Sequence, residues 1–236
     1  MSHRSPRNTA AVLAVLLAAV AALFAAASAS AAKQELNGTF LVSPGKSVAG
    51  KSGVKVSGSY FRMIYPKGSV TKGPFFLNSN SKAIDKTYTL FVPGIDGGLR
   101  TGSFQPMPSP PFAPNGFSLA NRIVQPLPFA GINFSLSTGP TDLQGGKKVG
   151  PPEIWASGTK LTGDLRGFTA SWNSIYFNQG SPKPEGKLVG STEPVTGTYD
   201  PKTRHYSIEW VSLIVGGPFN EFAGYWHFEG TFKPKG

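Results

Sequence analysis

The chain has 236 residues, no cysteine and a formal net charge of +11. The absence of cysteine excludes a disulfide framework and a lipid-modified N-terminal cysteine. With 29 glycines, 21 prolines and 17 phenylalanines, and no sustained helical period after residue 33, the composition favours an all-β chain.

The first 32 residues have the pattern of a secretory signal peptide. Arg4 and Arg7 form a basic start, residues 10–24 are uninterruptedly apolar, and small residues up to Ala31 offer cleavage sites. The alternative is an uncleaved anchor, because the apolar run approaches the length that spans a bilayer. We predict cleavage, a single β domain over 33–236 with no later transmembrane segment, and an extracellular or cell-envelope location.

Alternating apolar and polar residues predict about ten strands in the remaining chain. The candidates are residues 36–42, 54–65, 87–92, 99–105, 132–137, 153–157, 160–173 with a break near Gly167, 195–199, and a hairpin over 204–232. A short helix is considered only over 118–124, where Ser118 can cap it. The expected fold is an antiparallel β-sandwich, jelly-roll-like, or a closed barrel with long loops rich in proline and glycine.

Residues 45–52 match the phosphate-binding pattern G-x-x-x-x-G-K-[ST] letter for letter. That chemistry needs a strand before the loop and a helix that begins at the Lys-Ser pair. Residues 53–58 instead continue as a strand pattern with two glycines, which disfavour a helix. We interpret the match as accidental and predict no nucleotide.

Basic residues are concentrated between positions 46 and 86, where Asp85 is the one acid and the net charge is +7. Removal of the leader leaves 21 basic and 12 acidic residues, a net charge of +9. A field of one sign attracts anionic partners, which outside a cell are envelope polymers, anionic lipids or acidic glycans rather than nucleic acid. The alternative is an ordinary solvated surface. The predicted anion-binding patch comprises Lys46, Lys51, Lys55, Arg62, Lys67 and Lys72.

Three long loops are expected, over 106–128, 139–152 and 178–194. The first carries seven prolines, which keep most of it out of a sheet, but its apolar residues favour a loop packed on the domain over a linker. Long ordered loops often carry function.

A Gly-Thr/Ser-aromatic triplet recurs five times along the chain, beginning at Gly38, Gly58, Gly102, Gly197 and Gly230. Positions two apart share a face of a strand, so each glycine leaves a gap beside its aromatic ring. The irregular spacing favours a packing device over a repeated ligand-binding unit.

The C-terminal hairpin provides the one group of residues suited to catalysis. His205, Ser207 and Glu209 should share a face with Tyr225, His227 and Glu229. If Glu209 lies opposite His227, the two side chains can interact, and Glu209 and Glu229 can serve as the carboxylates of a glycoside hydrolase. The alternative is an ordinary polar outer face.

No other catalytic motif, cofactor motif or metal-ligand spacing is present in the sequence, so we predict neither a cofactor nor a metal. Aromatic residues offer a further kind of site, because rings stack against sugars. Trp172, Tyr176 and Tyr225 are the candidates for ligand stacking, although core packing is the usual role of tryptophan.

The sequence therefore predicts a secreted, non-catalytic binding or envelope-associated β protein that contacts anionic envelope polymers or glycans. Two alternatives stay open. One is a secreted polysaccharide hydrolase with a carboxylate pair, and the other is a β-barrel that carries an apolar ligand.

Overall fold

A computed structural model describes residues 32–51 and 53–236, so the predicted signal peptide lies outside the described residues except for Ala32. Residues 33–236 form one compact unit of antiparallel strands. The strands in chain order are β1 Gln34–Glu35, β2 Gly38–Val42, β3 Lys46–Gly50, β4 Gly53–Ser57, β5 Tyr60–Ser69, β6 Gly73–Phe75, β7 Thr89–Leu90, β8 Gly98–Arg100, β9 Leu127–Phe129, β10 Ile132–Thr138, β11 Glu153–Ser157, β12 Lys160–Asp164, β13 Phe168–Trp172, β14 Ile175–Asn178, β15 Glu193–Tyr199, β16 His205–Leu213 and β17 Ala223–Pro234.

Eleven of these strands form one large sheet, in the order β1-β11-β12-β15-β16-β17-β2-β8, with β5 also paired to β17 and flanked by β6 and β7. The chain segment 34–42 pairs with β11 through β1 and with β17 through β2. The large sheet therefore curls back on itself. A second sheet, β14-β13-β10-β9, lies apart from it, and β3 and β4 form a separate hairpin. The predicted all-β antiparallel fold is confirmed.

The β16–β17 hairpin confirms the pairing predicted for residues 204–232. Trp210 lies opposite Trp226, and Glu209 lies opposite His227. Both tryptophans are buried, while His205 and Glu209 lie on the other face, as the alternation requires. A single 3-10 turn, Gly217–Phe219, lies in the connection.

The core lies between the inner face of the large sheet and the second sheet and is dominated by aromatic rings. Phe168 contacts Trp210 edge to face at 5.2 Å between ring centroids and Trp226 at 5.4 Å. Phe61 packs on Trp226 at 4.4 Å, and Phe91 approaches Phe228 at 5.4 Å. These side chains stabilise the fold without disulfides, because large rings bury much apolar area.

The loop over 106–128 packs on the domain, as predicted, and covers the outer face of the second sheet. That face carries hydroxyl side chains in register, Ser135 opposite Ser171 and Ser137 opposite Thr169. Ser118 of the loop hydrogen-bonds Ser135, and the Ser171 hydroxyl contacts the sulfur of Met107 at 3.5 Å. The proline-rich loop therefore covers a polar face of the second sheet that would otherwise be exposed to solvent.

The helix considered over 118–124 is wrong, because this segment is extended and pairs with residues 92–96. The amides of Gly94 and Ile95 donate to the carbonyls of Ile123 and Asn121. The Arg122 guanidinium also reaches Asp96, with Nε 2.8 Å from the carboxylate. These tertiary partners override the local capping signal.

Most predicted strands exist with shifted bounds. Residues 153–157 match the prediction, 160–173 breaks into β12 and β13 around Gly167 as expected, and 54–65 is divided between β4 and β5. The expected strand over 99–105 ends at Arg100. β3, β6, β9 and β14 were not predicted, because short or glycine- and proline-containing strands carry little alternation.

The recurring triplet is a packing device at three of its five positions. A β-carbon added at Gly38, Gly197 or Gly230 would lie 2.2 Å or less from a carbonyl oxygen of the adjoining strand. At these three positions the neighbouring backbone, rather than an aromatic ring, fills the space that a side chain would need. Gly58 and Gly102 instead adopt φ of +71° and +69° between strands. At those two positions glycine serves the backbone turn.

The loop that begins at Asn178 is anchored by a buried lysine. The Lys183 ammonium donates to the carbonyls of Asn178 and Leu213 at 2.9 and 2.7 Å and to the Ser212 hydroxyl at 2.7 Å. Burial lowers the pKa of Lys183 to about 8, although Asp142 and Glu185 act in the opposite direction. Three hydrogen bonds therefore hold this cation where water does not reach it.

Candidate functional site

An aromatic cavity of about 40 Å³ lies between the two sheets. Its deep wall includes Trp226 and Phe61 of the large sheet, and its opposite wall includes Phe134 and Phe177 of the second sheet. Every wall atom exposed to the cavity is nonpolar. Such a space excludes charged and strongly polar groups, because they find no hydrogen-bond partner inside it.

The cavity reaches the surface beside Trp172 and Phe219, which are only partly buried. Phe219 belongs to the 3-10 turn between β16 and β17 and packs 5.2 Å from Trp172 and 5.6 Å from Phe76. Phe76 lies 5.3 Å from Phe129, which belongs to the cavity wall. Phe219 therefore forms the outer wall of the cavity.

Exposed apolar side chains continue this aromatic surface outward. Tyr65, with 39% of its surface exposed, packs 4.8 Å from Phe222, whose ring lies 6.0 Å from that of Phe219. Leu77 follows Phe76 in the chain and is 64% exposed. An apolar surface thus runs from the core to solvent, the usual mark of a binding site for an apolar group.

The outer face of the large sheet carries a second group of functional side chains, which we call the outer strip: Tyr60, Arg62, Glu209, Tyr225, His227 and Glu229. Glu209, His227 and Tyr60 lie in one row across β16, β17 and β5. The His227 imidazole stacks on Tyr60 at 4.7 Å, and the Tyr225 hydroxyl donates to Glu209 Oε2 at 2.6 Å.

These contacts shift the acidity of several groups in the outer strip. The neighbouring His227 imidazole lowers the pKa of Glu209, assisted by the Tyr225 hydroxyl and opposed by burial. Burial raises the pKa of Tyr60 and of Tyr225, and the Glu209 carboxylate raises that of Tyr225 further. Glu209 is therefore a carboxylate near neutral pH, whereas the two phenols keep their protons.

His227 lies between the two carboxylates that the sequence offered for glycoside hydrolysis. Its Nδ1 is 3.7 Å from Glu209 Oε2, and its Nε2 is 3.7 Å from Glu229 Oε2. Glu229 also contacts His205 Nε2 at 3.4 Å. A hydrolase must place the scissile bond between its carboxylates. The His227 imidazole occupies the space between Glu209 and Glu229 here.

The basic residues of the predicted patch are divided among three places. Lys46 and Lys55 share the exposed face of the β3–β4 hairpin, with Lys51 at its turn. Lys67 and Lys72 belong to β5 and the turn that follows it.

Arg62 is engaged in the outer strip rather than free. Its guanidinium carbon lies 3.2 Å from the Phe75 ring centroid and 4.1 Å from that of Tyr88. It also donates to the Thr87 hydroxyl at 3.1 Å, and burial lowers its pKa. Arg62 is thus a cation that the Phe75 and Tyr88 rings hold in place.

The three rings predicted to stack on a ligand do not share one surface. Trp172 faces the core and donates from its indole to the Phe129 carbonyl at 2.8 Å. Tyr176, on the opposite face of the second sheet, packs on Phe112 at 5.2 Å. Tyr225 belongs to the outer strip and Trp172 lines the aromatic cavity, whereas Tyr176 faces away from that cavity.

The described residues of the phosphate-binding pattern, 45–51, and residues 53–57 after it form strands and a turn rather than a loop followed by a helix. Lys46–Gly50 is a strand, and it pairs with Gly53–Ser57 from Lys46 opposite Ser57 to Gly50 opposite Gly53. Over residues 32–51 and 53–236, no three histidine or acidic side chains are arranged to hold a metal ion. In the same ranges no helix has the length and apolar character needed to cross a membrane.

The sequence did not reveal the aromatic cavity, because its walls come from segments scattered between Phe61 and Trp226. The clearest local signal was the high phenylalanine content, which permitted an apolar ligand without supporting or locating one. Compared with known protein families, with curated proteins and with solved structures, the chain matches none.

Proposed function

We propose that this is a secreted, non-catalytic binding protein that takes an apolar group of its ligand into the aromatic cavity. The continuous apolar surface from Trp226 in the core to Tyr65 at the surface carries the proposal. The cavity exceeds the space that one water needs, about 10–15 Å³, and its nonpolar wall gives water no partner. It suits a small alkyl group or the edge of a ring.

Binding of benzene tests this proposal, because apolar cavities take up such probes. Benzene should shift the indole NMR signals of Trp172 and Trp226. Truncation in Phe219→Ala removes the outer wall, so that more of the benzene ring can enter and binding should tighten about tenfold, whereas Ala170→Leu fills the cavity and should abolish binding.

Phe112→Ala is the matched control, since Phe112 packs on Tyr176 away from the cavity. It should leave benzene binding unchanged. Indole signals that stay unmoved by benzene in both the wild type and Phe219→Ala would rule out the cavity as a binding site.

A second candidate function is contact with anionic envelope polymers through the β3–β4 hairpin. Lys46 lies opposite Ser57 and Lys55 opposite Val48, so the two lysines are diagonal neighbours on the exposed face. Diagonal positions in antiparallel pairs are about 7–8 Å apart. Two exposed ammonium groups at this spacing favour a polyanion.

Dextran sulfate, with neutral dextran as reference, tests the hairpin. The double variant Lys46→Gln/Lys55→Gln should weaken binding to dextran sulfate about thirtyfold at low salt, since each lysine near an anionic surface contributes about 1 kcal/mol. Lys160→Gln/Lys202→Gln removes the same charge from exposed positions elsewhere. Equal losses in the two double variants would indicate net charge rather than a hairpin site.

A further inference from the structure

The outer strip presents rings where a half-solvated sheet normally presents flexible polar side chains. Tyr60 and Tyr225 project outward from β5 and β17, and Tyr88 packs edge to face on Tyr60 at 4.9 Å. Behind Tyr225, Ile64 and Val211 form a small buried cluster that supports the ring. The rings are therefore held in fixed positions on the surface side of the sheet.

Some hydrogen-bonding atoms of the outer strip have no partner within the strip. Among the described residues, three buried side-chain nitrogen or oxygen atoms lack a hydrogen-bond partner, and two of them, Arg62 Nε and His227 Nδ1, lie beneath the surface of the strip. The 3.7 Å between His227 Nδ1 and Glu209 is too long for a hydrogen bond. The Glu209 side chain is 47% exposed and that of Glu229 is 31% exposed, so both carboxylates keep acceptor capacity toward solvent.

The charges of the strip restrict the ligand. Glu209 and Glu229 disfavour an anionic ligand, although the chain as a whole is basic. Arg62 already occupies the space between the Phe75 and Tyr88 rings, where a ligand cation would otherwise gain most. With anionic and cationic ligands disfavoured, the strip suits a neutral ligand that has many hydroxyl groups and an apolar face.

We infer that the outer strip binds a neutral saccharide. The C–H face of a sugar ring packs on tyrosine, while its hydroxyls donate to the Glu209 and Glu229 carboxylates. The strip holds fixed aromatic rings beside planar hydrogen-bonding groups, the combination such a ligand needs. This inference is independent of the aromatic cavity, which lies on the other side of the sheet.

Calorimetric titration with neutral oligosaccharides of glucose, mannose, galactose and N-acetylglucosamine tests the inference, with oligogalacturonate as the acidic reference. At least one neutral oligosaccharide should bind with an affinity that salt leaves unchanged. Glu209→Gln and Tyr225→Phe should each weaken this binding at least tenfold. Both changes keep the shape of the side chain, and thermal unfolding verifies that each variant is folded.

Matched controls separate this site from the rest of the molecule. Glu35→Gln, on exposed β1, and Tyr176→Phe, on the second sheet, should bind the oligosaccharide like the wild type, and so should the cavity variant Phe219→Ala. Three results would overturn the inference: no binding to any neutral oligosaccharide, binding to oligogalacturonate alone, or undiminished affinity in both strip variants. Saccharide binding by a wild type whose indole signals benzene does not move would count against the cavity only.

Discussion

Between pH 7 and pH 9.5 the free energy of unfolding should rise by about 2 kcal/mol because of Lys183. Burial lowers its pKa from the ordinary value of 10.5 to about 8 in the folded protein. The unfolded chain therefore binds more protons than the folded chain across this range, so stability increases as the pH rises. The full gain, reached above the unfolded pKa, is about 3 kcal/mol.

Denaturant unfolding at the two pH values measures this effect. In Lys183→Met the free energy of unfolding should no longer rise between the two pH values. In Lys187→Met, at an exposed position of the same loop, it should rise as in the wild type. Measurements stay below pH 10, because the raised pKa values of Tyr60, Tyr206 and Tyr225 lower stability once unfolded tyrosines ionise. An equal rise in Lys183→Met would show that another group is responsible.

Gly230→Ala should lower the free energy of unfolding by about 3 kcal/mol, at the upper end of what overpacking costs. The added methyl would lie 1.8 Å from the Leu41 carbonyl oxygen, and backbone cannot move aside as a flexible side chain can. β2 and β17 must separate to admit it, which weakens the contact of Phe40 with Phe232 at 4.8 Å.

Gly150→Ala is the control for this prediction. A methyl at Gly150 meets no atom within 4 Å, and its φ is outside the left-handed region. The free energy of unfolding of Gly150→Ala should differ from that of the wild type by no more than about 0.5 kcal/mol. The shift in denaturant midpoint between the two variants gives the comparison, and similar midpoints would contradict a steric role for Gly230.

The sequence predicted those parts of the fold in which the order of neighbouring residues determines which side chains are buried. In β16 and β17 strict alternation separates Trp210 from Glu209 and Trp226 from His227, so the faces follow from the order of residues alone. The register between β16 and β17 was harder to predict from the sequence, because it depends on the length and shape of the connection between the two strands. The opposition of Glu209 and His227 was therefore only conditional in the sequence.

The aromatic cavity and the extended course of residues 118–124 could not be predicted in the same way. The cavity joins Phe61, Phe134, Phe177 and Trp226, whose proximity is set by tertiary packing rather than by local pattern. The segment at 118–124 has a capping residue and a stop signal for a helix, but pairing with residues 92–96 satisfies its backbone instead. Long-range partners decide such cases, and one sequence does not identify them.

Strand β17 pairs with three other strands, β16, β2 and β5. Phe232 lies opposite Phe40, about 190 positions earlier. Closing so long a segment of chain is entropically costly and slow, and the large sheet has no central strand until it happens. The large sheet must therefore acquire its fold after β17 has been synthesised, rather than progressively from the N-terminal strands.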